Sequence, residues 1–153
     1  MFDTLGGLPL HPLAVHAVVV LLPLMALITA AVAVRRPWRR FALPVAVLDG
    51  LVVVATVVAK QTGETFQRRL SPSGSALIAA DHGHKGSLLP LFALALFVAA
   101  TLVWYAARRP ALTVPATVLA LVAALAALGW TVVVGDSGAR AVWAQVVANT
   151  SAP

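Results

Sequence analysis

Leu10-His11-Pro12-Leu13-Ala14-Val15-His16 opens an apolar run that continues to Val34, and the reading of this run decides the fold. It is about 23 residues long, which as a helix spans roughly 30 Å of hydrocarbon with some tilt. Pro12 suits a first helical turn, where its missing N–H would have no partner in any case. His11 then falls near the N-cap and His16 about one turn inside. Pro23 interrupts the run and predicts a kink. His16 and Pro23, seven positions apart, share nearly one face, which is expected to point into a helix bundle.

Three similar runs follow. The spacing predicts spans over residues 12–34, 41–60, 87–107 and 113–134, in one transmembrane domain covering 1–153. The fold class is therefore all-α, an up-down-up-down four-helix bundle in a membrane. The second helix is expected to continue as a polar extension to Leu70, and Ser71-Pro72-Ser73-Gly74-Ser75 reads as a turn. The third helix is allowed an earlier start, with Pro90 as a kink and Gly86 relieving the clash of its ring. In the fourth, alanines 116, 120 and 124, with 123 and 127, form small-residue rows suited to close helix contact. The tail prolongs this helix, and Asp136 and Arg140 form an i,i+4 pair.

Composition agrees with a membrane reading. Apolar residues make up 61% of the chain and charged residues 10%, against roughly 45–50% and about 25% in soluble domains. The net charge of +6 comes with arginines gathered in short hairpins, not in a phosphate-tracking stripe, so nucleic acid is not the expected partner. There is no cysteine, which excludes disulfides, thiolate metal sites, iron–sulfur clusters and covalently attached haem. No basic residue precedes the first apolar run, so the first helix is expected to be retained and not cleaved as a signal peptide.

Orientation follows from the hairpins Arg35-Arg36-Pro37-Trp38-Arg39-Arg40 and Arg108-Arg109-Pro110. They hold six arginines and no acid, whereas the remaining connections hold five basic residues and four acids. The positive-inside rule then puts both hairpins in the cytoplasm and both termini outside. Localisation in a bacterial inner membrane is the corresponding expectation, with Trp38, Trp104 and Tyr105 at the inner interface and Trp143 at the outer one.

In this topology all four histidines, with Lys60, Glu64, Asp81, Asp136 and Arg140, collect at one end. The plainest reading makes the histidines helix-end caps. A second takes His16 with His82 or His84 as axial ligands of haem b, with Lys60, Arg68 or Arg140 meeting its propionates. A third is a zinc or copper site built from His11, His16, His82 and His84, with Asp81 or Asp136. Spacing weakens the third reading, because His82 and His84 point about 200° apart on a helix and His11 and His16 about 140° apart. Asp49 stands about 12 Å into the second helix, where a charge costs on the order of 2.5–3.5 kcal/mol. Thr29, Thr101 and Thr117 lie at comparable depth and are expected to bond it. A proton-relay role is the sharper alternative. No catalytic triad, phosphate loop or zinc-protease motif is present. Binding, electron transfer or scaffolding, with a membrane redox partner or self-association, is expected over catalysis.

The opening Leu10–His16 stretch, Thr62-Gly63-Glu64, His82 with Gly86, and Gly135-Asp136-Ser137-Gly138-Ala139-Arg140-Ala141-Val142-Trp143 together resemble a bacterial group of small four-span membrane proteins, domain of unknown function 2231. The resemblance covers nearly the whole chain. It implies a four-helix membrane protein without an established activity, and points to His11, His16 and His82 with His84 as an extra. Some relatives are fused to Rieske-type or cytochrome domains, an association with redox chemistry. Many carry histidine where this chain has Asp136, which implies an altered site here if that histidine is a ligand in them.

Overall fold

The computed structural model describes residues 4–5, 8–70 and 76–150. The architecture is all-α. Its helices are α1 (Leu10–Val34), α2 (Ala42–Leu70), α3 (Ala76–Gly86), α4 (Leu89–Ala106) and α5 (Thr113–Thr150). A two-residue antiparallel pairing of β1 (Thr4–Leu5) with β2 (Leu8–Pro9) precedes α1. The turn expected over 71–75 lies outside the described residues.

Four segments are long and apolar enough to cross a membrane: Leu10–Val34, Arg36–Arg68, Ala80–Ala106 and Pro110–Trp143. α1 and α4 each pack against both α2 and α5, which closes a ring of four, and α3 packs against α2 and α5. The packing is inside-out relative to a soluble protein. Alanine is the commonest buried residue, while Val20, Leu51, Leu91, Val114, Leu125 and Val132 face outward with more than half their surface exposed. Small residues let helix backbones approach, and an apolar outer surface belongs against lipid. The predicted alanine rows are borne out: Ala116, Ala120, Ala123, Ala124 and Ala127 are all buried.

Both basic hairpins are 3-10 turns, Arg36–Phe41 and Pro110–Leu112, each with a proline in its first two positions. Proline fixes φ where no N–H is needed. Arg39 fastens the first turn to its surroundings. Its Nη2 donates to the Ala33 carbonyl at 2.7 Å and to Thr117 Oγ1 at 3.0 Å, so one side chain links the end of α1 to the start of α5. Carbonyls at a helix C-terminus have no partner within the helix, and a cation suits them.

Two local expectations change. Pro23 lies inside α1, which runs from Leu10 to Val34, and the His16 face of this helix points outward, because His16 is exposed while Val18, Leu22, Met25 and Ala26 are buried. The third span is broken into α3 and α4 at Ser87-Leu88, and Pro90 stands in the first turn of α4. The earlier start is present, as one apolar segment Ala80–Ala106 interrupted just before Pro90. Gly86 is not needed to accommodate it, since a methyl group there would meet nothing within 4 Å.

Asp49 is 1% exposed at the bundle centre. Thr29 Oγ1 donates to its Oδ2 at 2.8 Å, as expected. Thr101 and Thr117 do not join: Thr101 bonds the Phe97 carbonyl of its own helix, and Thr117 bonds Thr113 and Ala33. Oδ1 of Asp49 has no hydrogen-bond partner.

Candidate functional site

α3 packs on α2 and α5 at the end opposite the arginine turns, and between these helices and the start of α1 lies a cavity of about 310 Å³. His11 and Pro12 enter from α1, Lys60 and Phe66 from α2, His82 from α3, and Gly138 and Val142 from α5. Its walls are predominantly apolar, the usual character of a pocket for a small organic ligand or cofactor.

His11 is held from two sides. Its Nδ1 lies 3.1 Å from the Ala59 carbonyl, and its ring stacks on Phe66 at 6.0 Å between centroids. A carbonyl only accepts, so Nδ1 carries the hydrogen and Nε2 the lone pair. The same inference holds for His82. Its Nδ1 lies 3.1 Å from Ser137 Oγ, and the Ser137 hydroxyl donates to the Val134 carbonyl at 2.8 Å. With its hydrogen committed, Ser137 Oγ accepts from Nδ1–H of His82. In the neutral ring both imidazoles therefore hold the tautomer with the lone pair on Nε2, and among the described residues neither Nε2 has a protein partner. The two side chains are near enough to act on each other electrostatically.

Glycines make room for these rings. A methyl at Gly63 would stand 2.8 Å from His11 Cε1, and one at Gly138 would stand 3.0 Å from His82 Cε1. At Gly83 a methyl would reach within 2.6 Å of Gln67 Oε1. Sequence reasoning quoted Gly63 and Gly138 only as marks of resemblance. The legible signal was glycine within a helical stretch, which costs about 1 kcal/mol against alanine and needs a reason such as close approach.

The structure brings His11 and His82 together and leaves the other candidates apart. His16 is exposed, and its Nδ1 turns back to the Pro12 carbonyl at 2.6 Å. His84 is exposed on the far side of α3 from His82, as the helical spacing requires. Asp81 pairs with Lys85 at 2.7 Å and Asp136 with Arg140 at 2.8 Å, both i,i+4 pairs on exposed helix faces. The second pair is the one expected from spacing, and it takes Asp136 and Arg140 away from the cavity. Among the described residues no three histidine, aspartate or glutamate side chains form a metal-binding group. The four-ligand zinc or copper set of His11, His16, His82 and Asp136 is thus not assembled, because helical geometry turns His16 and Asp136 outward.

Further contacts fix α3. Trp130 Nε1 donates to the Lys85 carbonyl at 3.0 Å, and its indole stacks on Phe92 at 5.1 Å. This ties α5 to the end of α3 and the beginning of α4.

Residues 7–151 match the profile of a family described as a predicted membrane protein, DUF2231. No curated protein and no solved structure matches the chain.

Proposed function

The chain belongs to the DUF2231 family of membrane proteins, and from that premise we propose that the cavity beside α3 is a cofactor site holding haem b through His11 and His82. The observation that carries this reading is the pair of imidazoles fixed at Nδ1 by Ala59 and Ser137, each with an unprotonated Nε2 at one cavity. Metal-ligating histidines are characteristically oriented this way, with the second ring nitrogen donating to a carbonyl or other acceptor. Two imidazoles, with no group of three histidine, aspartate or glutamate side chains among the described residues, would suit a group that brings its remaining ligands with it. Haem bound there supplies one-electron redox chemistry. Lys60, which lines the cavity, would offer its ammonium to a propionate, and Phe66 would present an apolar wall to the ring. His11 replaces His16 as the partner of His82 in this reading.

The test is the absorption spectrum of protein purified in detergent and reconstituted with haemin. A Soret band that is lost in His11→Ala and His82→Ala and kept in His16→Ala is the expected result. A folded protein that stays colourless after reconstitution favours a cofactor-free scaffold or partner-binding subunit.

The same reading places the protein in a bacterial cytoplasmic membrane with its arginine turns toward the cytoplasm and both termini outside, beside a membrane redox partner. Its support is the collection of six arginines without an acid in the two turns.

A further inference from the structure

At the opposite end, an open, shallow cleft of about 500 Å³ lies between the two basic turns. Arg36, Arg39 and Arg40 line one side, and Ala107, Pro110 and Thr113 the other. No acid lines it. Arg39 is committed to Ala33 and Thr117 and fixes the floor. Arg36 and Arg40 are exposed and make no ion pair among the described residues. Arg40 lies over the Phe41 ring at 4.7 Å, which orients the guanidinium plane and leaves its edge N–H groups for a ligand. Around the cleft the surface is apolar: Phe41, Tyr105, Leu112 and Val114 are all at least 40% exposed.

We propose that this cleft binds the phosphodiester headgroup of an anionic phospholipid, with its acyl chains along the apolar surface beside it. Planar guanidinium forks match phosphate oxygens. The cleft sits where the apolar spans end, at the depth of lipid headgroups, and only an amphiphile satisfies both the cationic floor and the apolar flanks. A charge bias that merely sets topology needs arginines in the turns, but not a guanidinium held in place beside them by Ala33 and Thr117. The site is independent of the histidine cavity.

Native mass spectrometry of the full chain from an uncharged detergent tests it. Phosphatidylglycerol, phosphatidylcholine and inorganic phosphate are the probes. One phosphatidylglycerol is expected to be retained per chain in preference to phosphatidylcholine. The R36Q/R40Q variant is expected to bind it about tenfold more weakly. The R35Q/R109Q variant loses the same charge outside the cleft and is expected to stay within about twofold. Equal losses in the two variants, equal retention of phosphatidylcholine, or inorganic phosphate binding as tightly as the lipid would each overturn the proposal. Should R36Q/R40Q fail to fold, a headgroup-photoreactive phosphatidylglycerol on the unmodified protein decides. Crosslinks within 36–41 and 106–113 support the site, and crosslinks spread over both ends of the bundle sink it.

Discussion

The Thr29 hydroxyl donates to Asp49 Oδ2 at 2.8 Å in the middle of the bundle, and the other carboxyl oxygen of Asp49 meets no donor or acceptor. This bond joins α1 to α2 where water does not reach. Interhelical hydrogen bonds in membranes contribute modestly, at about 1–2 kcal/mol in model systems and less in double-mutant cycles. Thr29→Val keeps the shape and removes the one donor to Asp49 among the described residues, so it is expected to lower unfolding stability in detergent by about 1–2 kcal/mol. Removing both polar groups leaves nothing unsatisfied, so adding Asp49→Val to Thr29→Val is expected to cost less than the sum of the singles. A coupling energy of zero in that cycle would mean that the pair does not stabilise the bundle.

Ser137 does not itself line the cavity, yet through its bond to Nδ1 it sets which nitrogen of His82 is available. Ser137→Ala removes the acceptor of Nδ1–H and frees the ring to rotate or change tautomer. Loss of such an outer partner characteristically weakens ligation about 10–100-fold. The expected outcome is a haem affinity reduced by that factor with an unchanged helical circular-dichroism spectrum. His16→Ala, which alters a histidine bonded only to its own helix, should leave the affinity unaltered. An equal effect of the two substitutions would remove Ser137 from the site.

The bundle was legible in sequence because span length, arginine turns and alanine rows follow from the bilayer itself. The inward partner of His82 was not. Choosing between His11 and His16 depends on the rotation of α1, and the mean hydropathy of that helix is high on every side. Pro23 suggested one face, whereas the buried stripe of Val18, Leu22 and Met25 chose another. The contribution of α3 was also hidden. A polar stretch with two histidines reads equally as loop or helix, and only its packing on α2 and α5 makes it a wall of the cavity. Asp136 with Arg140 was readable because an i,i+4 pair on one helix requires no knowledge of its neighbours.

Glycine substitutions separate close approach from helix propensity, because the two act with opposite sign. Gly135 in α5 is exposed, and a methyl there meets nothing within 4 Å. Gly135→Ala is expected to stabilise the protein by about 0.5–1 kcal/mol. Gly63→Ala carries the same propensity gain but drives a methyl to 2.8 Å from His11 Cε1. The ring must leave the Ala59 carbonyl or α2 must move, so this variant is expected to be destabilised and to lose haem. Thermal unfolding of both variants in one detergent checks the contrast. Stabilisation by Gly63→Ala would show that His11 is not confined as described.

Membrane orientation yields the last prediction. Arg36 and His82 lie at opposite ends of the bundle, with α1 and the other spans between them. Since the chain has no cysteine, single cysteines at Arg36 and at the exposed, unligated His84 report their sides without background. An impermeant maleimide applied to intact spheroplasts is expected to label His84→Cys and to spare Arg36→Cys until the membrane is broken. The reverse pattern would put the arginine turns outside the cell and contradict the charge argument. It would leave the histidine cavity intact but facing the cytoplasm. Labelling of both positions from the same side would be incompatible with spans of about 30 Å between them.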